Sequence, residues 1–417
     1  MTDIPNRLGL RRWINAGGTL TRFGGAIASA EVATAMAEAT RLSFDSWELQ
    51  AAASRAIAAA TGAQAGIVTT GASAALTLAA AAVVADASGG ASLHRSPDHG
   101  GPVPTILMPR THRNGYDRAF ATAGARVVDV GDNDRGTGAG VRGLEVADVE
   151  AMIDPNTVAI ACSASESCAA DLPVLVEAGR LLGLPVIVDA AAQLPPADNL
   201  RRFVEAGAAL VCFSGGKAIG GPQASGILAG RRDLVALAAL QMLDLDVLPA
   251  RFRPPAVFFP DSDEPDSDDY RRVATLRARL PRQGVGRGFK ASKEAVVGLL
   301  VALDAFLSGD RVARAGSLSE RVRAIAARLA MPAGVRLELL APADPERAAR
   351  LAMRFDGTER ALAATLFAQR LADGEPPVAL AEGGLMQGEL VLDLACVDPA
   401  DDTQLFASLA MALAPLR

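Results

Sequence analysis

The sequence predicts an α/β protein with a large domain, built on a mostly parallel seven-stranded sheet, and a small C-terminal α/β domain. Seven short apolar segments within residues 65–230 are mostly separated by helical stretches, which is typical of a parallel sheet covered on both faces. At 417 residues the chain is too long for one ordinary core. The pattern also changes after residue 230, which indicates that a second domain follows.

The strand candidates are short and rich in β-branched or aliphatic residues. They are AGIVTT (65–70), TILMPR (105–110), ARVVDVG (125–131), TVAIACSA (157–164), PVIVDA (185–190), ALVCFS (209–214) and SGILAG (225–230). Helices are predicted over 73–84, 114–123, 174–182 and 200–206. Because a short Gly/Pro turn and no helix joins the last two strands, that pair is expected to be antiparallel.

The rest of the chain begins with a helix predicted over 231–245. Residues 249–270 are rich in Pro and Asp, which fits a linker, a solvated acidic loop or a mobile lid over a site. A helix over 292–307 then leads to a lobe with four strand candidates between helices. The predicted domains are an N-terminal arm (1–40) at an interface or active site, a large domain (41–290), a connecting helix (291–310) and a small domain (311–417).

Composition excludes several classes of protein. A net charge of −6 and few aromatic residues argue against nucleic-acid binding. No secretory signal or membrane span is evident, so a cytoplasmic enzyme acting on a small molecule is expected. The four cysteines form no CxxC pair and are predicted to be buried free thiols, and the three histidines show no metal-site spacing.

Lys217 is the most informative residue. It lies in the small-residue turn that follows ALVCFS, and Asp189 ends the preceding strand, PVIVDA. The carboxyl ends of parallel strands share the sheet edge at which open α/β sheets bind ligands. Pyridoxal phosphate (PLP) enzymes need a lysine for the Schiff base and an aspartate that holds the pyridine nitrogen protonated. Two ordinary loop residues are the alternative.

A phosphate site is predicted where AGIVTT turns into a helix. Gly71 permits a tight turn, and the amides of Ala72 and Ser73 open the helix, where unpaired N–H groups attract anions. Ser214 is a candidate second phosphate contact, or else a hydroxyl that caps its own turn. Gln193 is a candidate donor to the cofactor's phenolic oxygen, or a loop amide that bonds nearby carbonyls.

Four further side chains are candidates at the site. His112, in the turn RTHRNGYD, is suited to stacking on a pyridine ring and to protonating a leaving group, unless it is a surface histidine. Arg110 beside it is a candidate for attracting substrate anions. Arg287 and Lys290, in GVGRGFKASKEAVVGLL, are candidates for binding a substrate carboxylate or phosphate.

These segments resemble fold-type I PLP-dependent enzymes of the selenocysteine synthase and D-glucosaminate-6-phosphate ammonia-lyase superfamily. The resemblance covers most of the chain, from WINAGGTLTRFGG (13–25) through RTHRNGYDRAFATAGARVVDVGD to CFSGGKAIGGPQASGILAGR (212–231), and FSGGKAIxGPQ is its most specific block. It implies the transferase-type architecture of that fold, Lys217 as the Schiff-base lysine, Asp189 as the partner of the pyridine nitrogen, and a homo-oligomer with sites near subunit interfaces.

The function implied is that of a PLP-dependent lyase. It would remove the α-proton of an amino acid or amino sugar acid, eliminate a β-substituent and release ammonia and a 2-oxo acid. Gly220 stands where the ammonia-lyase branch often has a basic residue, which argues against a phosphorylated sugar acid as the substrate. The N-terminal tRNA-binding region of a selenocysteine synthase is not recognisable, so seryl-tRNA is not expected as a substrate. Racemisation, aldol cleavage and β-replacement remain alternatives, as does a non-catalytic binding or regulatory protein.

Overall fold

The computed structural model describes residues 4–94, 101–131, 143–165, 168–242, 251–260, 280 and 284–414. The chain divides into two compact units, one of Ala28–Leu307 and one that combines Met1–Ile27 with Ser308–Arg417. The predicted N-terminal arm over 1–40 thus spans parts of both units. The predicted domain boundaries stay predictions.

The described strands follow one another along the chain in this order: β1 (Ile14–Ala16), β2 (Ala65–Thr69), β3 (Thr105–Pro109), β4 (Arg126–Val130), β5 (Thr157–Ser163), β6 (Val186–Asp189), β7 (Leu210–Ser214), β8 (Gly226–Gly230), β9 (Val335–Leu340), β10 (Arg350–Phe355), β11 (Val378–Leu380) and β12 (Glu389–Leu392).

The described α-helices are α1 (Ile4–Leu8), α2 (Ala30–Thr40), α3 (Ser46–Thr61), α4 (Ala72–Ala87), α5 (Arg118–Thr122), α6 (Val146–Glu150), α7 (Leu172–Leu182), α8 (Asn199–Glu205), α9 (Arg232–Leu240), α10 (Lys293–Ser308), α11 (Arg311–Arg328), α12 (Arg360–Asp373) and α13 (Asp402–Leu413).

The larger unit is built on a seven-stranded sheet, as the sequence predicts. Its strand order is β2-β8-β7-β6-β5-β3-β4. Strands β3 to β7 pair in parallel, whereas β8 is antiparallel to both of its neighbours, β2 and β7. The expectation of one reversed strand after the short Gly/Pro turn is therefore confirmed. All seven strand candidates are strands of this sheet.

Alternating side chains of the sheet enter two separate hydrophobic cores. In β7, Leu210 and Cys212 pack on the face that carries α4 and α9, while Val211 and Phe213 pack on the opposite face with residues of α7, α8 and α10. This alternation follows from the two-residue period of a strand. Because both faces are covered, the strands inside the sheet are almost entirely apolar, which is why short apolar segments predicted them.

The helices beside the sheet begin where local chemistry favours them. Asp45 precedes α3, and its carboxylate accepts hydrogen bonds from the backbone N–H groups of Trp47 and Glu48 at 2.8 and 3.1 Å. Helix α4 is alanine-rich and almost entirely buried, so it lies directly on the sheet and points its first turn at the carboxyl ends of the parallel strands. Small side chains permit this close approach.

The smaller unit has its own core between α11, α12, α13 and two small sheets. Strands β12, β10 and β9 form an antiparallel sheet, and β1 pairs in parallel with β11 through Ile14 and Val378. The four strands predicted in this lobe are present. Strand β1, which the sequence analysis did not single out, brings the N-terminal segment into this unit.

Parts of the sequence prediction fall outside the described residues. Residues 249–250 and 261–270 of the Pro- and Asp-rich segment proposed as a linker or lid lie outside the described residues. Among the described residues no helix is both long and apolar enough to cross a membrane.

Candidate active site

Lys217 and Asp189 lie at one edge of the central sheet. Asp189 is the last residue of β6, and its Cα pairs with that of Cys212 in β7. Strand β7 ends at Ser214, and Lys217 follows in the next turn. The parallel pairing of β6 and β7 therefore brings the carboxylate and the amine to the same edge, as the sequence predicts.

The two side chains are half-buried and influence each other electrostatically. Burial raises the pKa of Asp189, while a hydrogen bond from the Ala191 N–H, 3.0 Å from Oδ1, and the charge of Lys217 oppose that rise. Burial lowers the pKa of Lys217, and the carboxylate of Asp189 opposes that fall. A lysine with a lowered pKa holds more free amine near neutral pH, as both imine formation and proton abstraction require.

A cup for an anion lies where β2 turns into α4. Gly71 takes φ 134° and ψ 167° directly before the helix, a conformation that favours glycine, and no atom lies within 4 Å of where its Cβ would be. The first amides of α4, including those of Ala72 and Ser73, cannot bond within the helix and point out of its N-terminus. Open space beside these donors fits a phosphate.

Gly226 of β8 packs against the backbone of this cup. A Cβ on Gly226 would lie 2.4 Å from the carbonyl carbon of Gly71 and 2.6 Å from the amide nitrogen of Ala72. Both are backbone atoms, so neither can turn aside. The short distance between the two backbones sets the position of the cup.

Replacing Gly226 with alanine should therefore displace the cup. We expect PLP affinity to fall tenfold or more and the free energy of unfolding to fall by about 1–3 kcal/mol. Equilibrium titration with PLP and chemical denaturation measure the two effects. Gly316→Ala is the control, because nothing lies within 4 Å of its Cβ position in α11. It should lower neither the PLP affinity nor the free energy of unfolding. Unchanged PLP affinity in Gly226→Ala would show that the cup does not bind the phosphate.

Ser214 and Gln193 lie near this edge. Ser214 ends β7 and shares a strand face with Cys212, the face on which α4 packs. Gln193 follows Asp189 in a turn closed by a hydrogen bond from its N–H to Ala190 O at 3.1 Å, and its carbonyl accepts from Asn199 Nδ2 at 2.6 Å. The turn is thus held in place, and the cofactor contacts of both side chains stay predictions.

His112 is fully buried, which rules out the surface histidine considered from sequence. Its Nε2 lies 3.0 Å from Oδ2 of Asp171, and its Nδ1 lies 3.4 Å from the backbone nitrogen of Ser163 at the end of β5. Burial lowers the pKa of His112, and the bond to Asp171 opposes that fall. The ring is therefore held at both nitrogens.

Arg110 precedes His112 by two residues but is exposed. Its Nε is 3.3 Å from Oδ2 of Asp129, whose other oxygen pairs with Arg113. Asp129 thus offsets part of the positive charge on both arginines. The proposed attraction of Arg110 for substrate anions stays a prediction.

Arg287 and Lys290 lie three positions apart in sequence but at different edges of the sheet. The backbone of Lys290 bridges Thr69 at the end of β2, next to the cup, and its side chain is exposed. Arg287 instead lines a cavity of about 840 Å³ together with Pro104 and Asn156, which precede strands β3 and β5. Its cavity lies toward the amino-terminal edge of the sheet, whereas Lys217 and Asp189 occupy the carboxyl edge.

The cysteines are all buried free thiols, as predicted. Burial raises the pKa of Cys162 to about 12 and that of Cys396 to about 11. Such thiols stay protonated near neutral pH and are poor nucleophiles. Lys217 is therefore the better-suited nucleophile at this edge of the sheet.

Comparisons with known proteins agree with this geometry. No protein-family model matches the chain. A 5'-C-glycyluridine monooxygenase-decarboxylase from Streptomyces sp is 29% identical over 402 residues, or 94% of this chain and 87% of the relative. A D-glucosaminate-6-phosphate ammonia lyase from Salmonella typhimurium is 26% identical over 400 residues, or 94% of this chain and 92% of the relative.

The solved structure of a D-glucosaminate-6-phosphate ammonia-lyase has a TM-score of 0.75, with 25% identity and full coverage of both chains. The chain is similar to these enzymes and has the fold of type I PLP-dependent enzymes. A serine palmitoyltransferase from S. paucimobilis, solved with bound PLP, supports the fold alone, with a TM-score of 0.51 and 15% identity over 98% of this chain and 89% of that one. The family resemblance inferred from sequence is thus confirmed.

The residues of this chain fit PLP. The glycine turn and the first amides of α4 provide donors and open space for a phosphate. The half-buried Lys217 supplies an amine for the aldehyde, and the carboxylate of Asp189 supplies an acceptor for a protonated ring nitrogen.

Sequence reasoning missed two residues of this region. Asp171 stands just before a Pro-containing helix start, where an aspartate is usually interpreted as a cap. Gly226 lies in an ordinary apolar strand pattern. A strand-interior glycine is a weak signal for close backbone approach, and the structure shows which backbone approaches.

Proposed function

We propose that this protein is a PLP-dependent lyase that acts on an amino acid or amino sugar acid. It removes the α-proton, eliminates a β-substituent and releases ammonia and a 2-oxo acid. The observation that carries the proposal is the pair of half-buried, electrostatically coupled groups, Lys217 and Asp189, beside the anion cup of α4. The ammonia-lyase relative supports the reaction class.

Each residue has a role that follows from its chemistry. PLP, when bound, supplies an electron sink for charge that develops at the substrate's α-carbon. Gly71, Ala72 and Ser73 hold its phosphate, with Ser214 as a second contact and Gln193 at the phenolic oxygen. Asp189 keeps the ring nitrogen protonated. Lys217 holds the cofactor covalently and, once freed, takes the α-proton, which its lowered pKa permits.

Substrate contacts are proposed for the basic side chains of the unit. The exposed amine of Lys290 lies on a segment bridged to the end of β2 and is suited to a carboxylate or phosphate near the cup. Arg110 is a weaker candidate because Asp129 already pairs with it. The proposed role of Arg287 requires substrate or a partner subunit to reach the opposite strand edge.

A second candidate is oxidative decarboxylation of an amino acid. The relative named as a monooxygenase-decarboxylase matches this chain at 29% identity, against 26% for the ammonia lyase, over nearly equal lengths. In this chain, PLP held by Lys217 would serve either reaction. The substrate's surroundings decide whether a β-substituent leaves or molecular oxygen is consumed.

One assay separates these reactions. The purified protein with PLP is incubated with a panel of D- and L-2-amino-3-hydroxy acids, including amino sugar acids with and without a phosphate. Ammonia, 2-oxo acid, dissolved oxygen and carbon dioxide are measured together. We expect ammonia and 2-oxo acid in equal amounts with no oxygen consumed. Oxygen uptake with carbon dioxide release would favour the second candidate.

The same panel addresses the remaining alternatives. Inverted substrate without ammonia indicates racemisation, an aldehyde with glycine indicates aldol cleavage, and incorporation of an added nucleophile indicates β-replacement. Failure to bind PLP at all would favour a binding or regulatory protein. The homo-oligomeric state and cytoplasmic location expected from the sequence stay predictions, the first checkable by light scattering.

A further inference from the structure

Asp171 stands at the N-cap position of α7, yet its side chain makes no capping hydrogen bond with that helix. An aspartate at this position usually accepts from the helix's own amides, a contact worth about 1 kcal/mol. Here Oδ2 lies 3.0 Å from Nε2 of His112 instead. Its side chain is 24% exposed, whereas that of His112 is 0% exposed. The helix N-terminus still favours its negative charge.

The hydrogen bond at Nδ1 determines the protonation state of the His112 imidazole. The backbone N–H of Ser163 can only donate, so Nδ1 of His112 must accept and carry no proton. Nε2 then carries the single proton and donates it to Asp171. A second proton on Nδ1 would face the Ser163 N–H, which makes the imidazolium unfavourable in this geometry. His112 is thus neutral, with both ring nitrogens engaged.

We propose that Asp171 is a positioning residue that, together with the Ser163 N–H, holds His112 as a neutral ring. Both ring nitrogens are then occupied, so only the ring faces are available for contact and His112 transfers no proton. This inference rests on the proposed lyase function. It revises the sequence-based idea that His112 protonates the leaving group. That task passes to Lys217, the amine that already takes the α-proton.

The elimination then needs no proton from outside the site. Lys217 Nζ accepts the proton of the α-carbon and becomes an ammonium. The electron pair of the broken C–H bond forms the bond between the α- and β-carbons, and the β C–O bond breaks with its pair on oxygen. The ammonium returns its proton to that oxygen, which leaves as water. No oxidant or further acid is needed.

The tautomer is measured on the protein without PLP, so this readout is independent of catalysis. Long-range ¹H–¹⁵N spectra of the ¹⁵N-labelled chain contain only three imidazoles, from His94, His99 and His112, and His112→Phe assigns the last. We expect one protonated Nε2 and one bare Nδ1 at neutral pH. Asp171→Asn keeps an acceptor and should preserve the pattern, whereas Asp171→Ala should give mixed tautomers.

Activity then tests the consequence for catalysis. Asp171→Asn should retain the wild-type turnover to within about tenfold. His112→Phe, which keeps a flat ring, should turn over substrate faster than His112→Ala. Loss of a true proton donor would cost about 10²–10⁴-fold in both His112 variants alike. An imidazolium or Nδ1–H tautomer in the wild type, an unchanged spectrum in Asp171→Ala, or equal losses in the two His112 variants overturns the inference. If neither the wild type nor any variant turns over substrate, the lyase proposal fails while the tautomer result stands.

Discussion

Lys217→Ala is expected to lose covalent PLP and to turn over substrate at least about a thousandfold more slowly than the wild type. The reason is that the half-buried amine of Lys217, with its lowered pKa, serves both as the attachment point and as the base. The chain has only three lysines, Lys217, Lys290 and Lys293. Borohydride reduction with PLP, followed by peptide mapping, therefore identifies the attachment site directly.

Lys293→Ala is the matched control for this experiment. The amine of Lys293 donates to the carbonyls of Thr40 and Leu42 at the end of α2 and is exposed. Its loss should leave PLP attachment and turnover near wild type. Circular dichroism shows whether each variant is folded. A label found on Lys290, or full turnover by Lys217→Ala, would remove the basis of the proposed function.

Asp189→Asn is expected to slow turnover on the order of a hundredfold or more while covalent PLP attachment persists. A neutral amide cannot hold the ring nitrogen protonated, so the cofactor stabilises the α-carbanion poorly. Retained attachment distinguishes this variant from Lys217→Ala. Reduction and peptide mapping measure attachment, and the ammonia assay measures turnover.

The same variant should also shift the titration of Lys217 in the protein without PLP. The Asp189 carboxylate raises the pKa of Lys217 against the larger effect of burial. Asparagine removes that charge, so the pKa should fall further below its ordinary value of 10.5. NMR of ¹³C-methylated lysines records this fall. Asp198→Asn, an exposed change on the same loop, should alter neither turnover nor the titration. Unchanged turnover in Asp189→Asn would contradict its role at the ring nitrogen.

Much of the fold was predictable because it depends on patterns that are local in sequence. The strands β2, β3 and β5 to β8 are largely buried on both faces, so each appears as a short apolar segment. The helices that connect most of the strands favour parallel pairing. The short turn before β8 indicated its reversal. Strand β1 was missed because a three-residue strand has no periodicity, and its partner, β11, lies near the other end of the chain.

The candidate site was only partly predictable from the same patterns. A residue's place at the end of a strand is local information, and parallel pairing then carries Asp189 and Lys217 to one edge. Asp171 and His112 are 59 positions apart, and nothing in either segment indicates that one accepts a hydrogen bond from the other. The path of residues 284–290, which turns Arg287 toward one edge and Lys290 toward the other, is also a tertiary result.

The sequence by itself determined the mostly parallel sheet with one reversed strand, the lysine and aspartate at strand ends, and the glycine turn of the anion cup. Hydrophobic period, strand ends and glycine conformation are properties of neighbouring residues. Only the tertiary structure decided the tautomer of His112, the contact of Gly226 with the cup and the burial that lowers the pKa of Lys217. These depend on burial and on distances between segments remote in sequence, where the free energies of desolvation and hydrogen bonding are set.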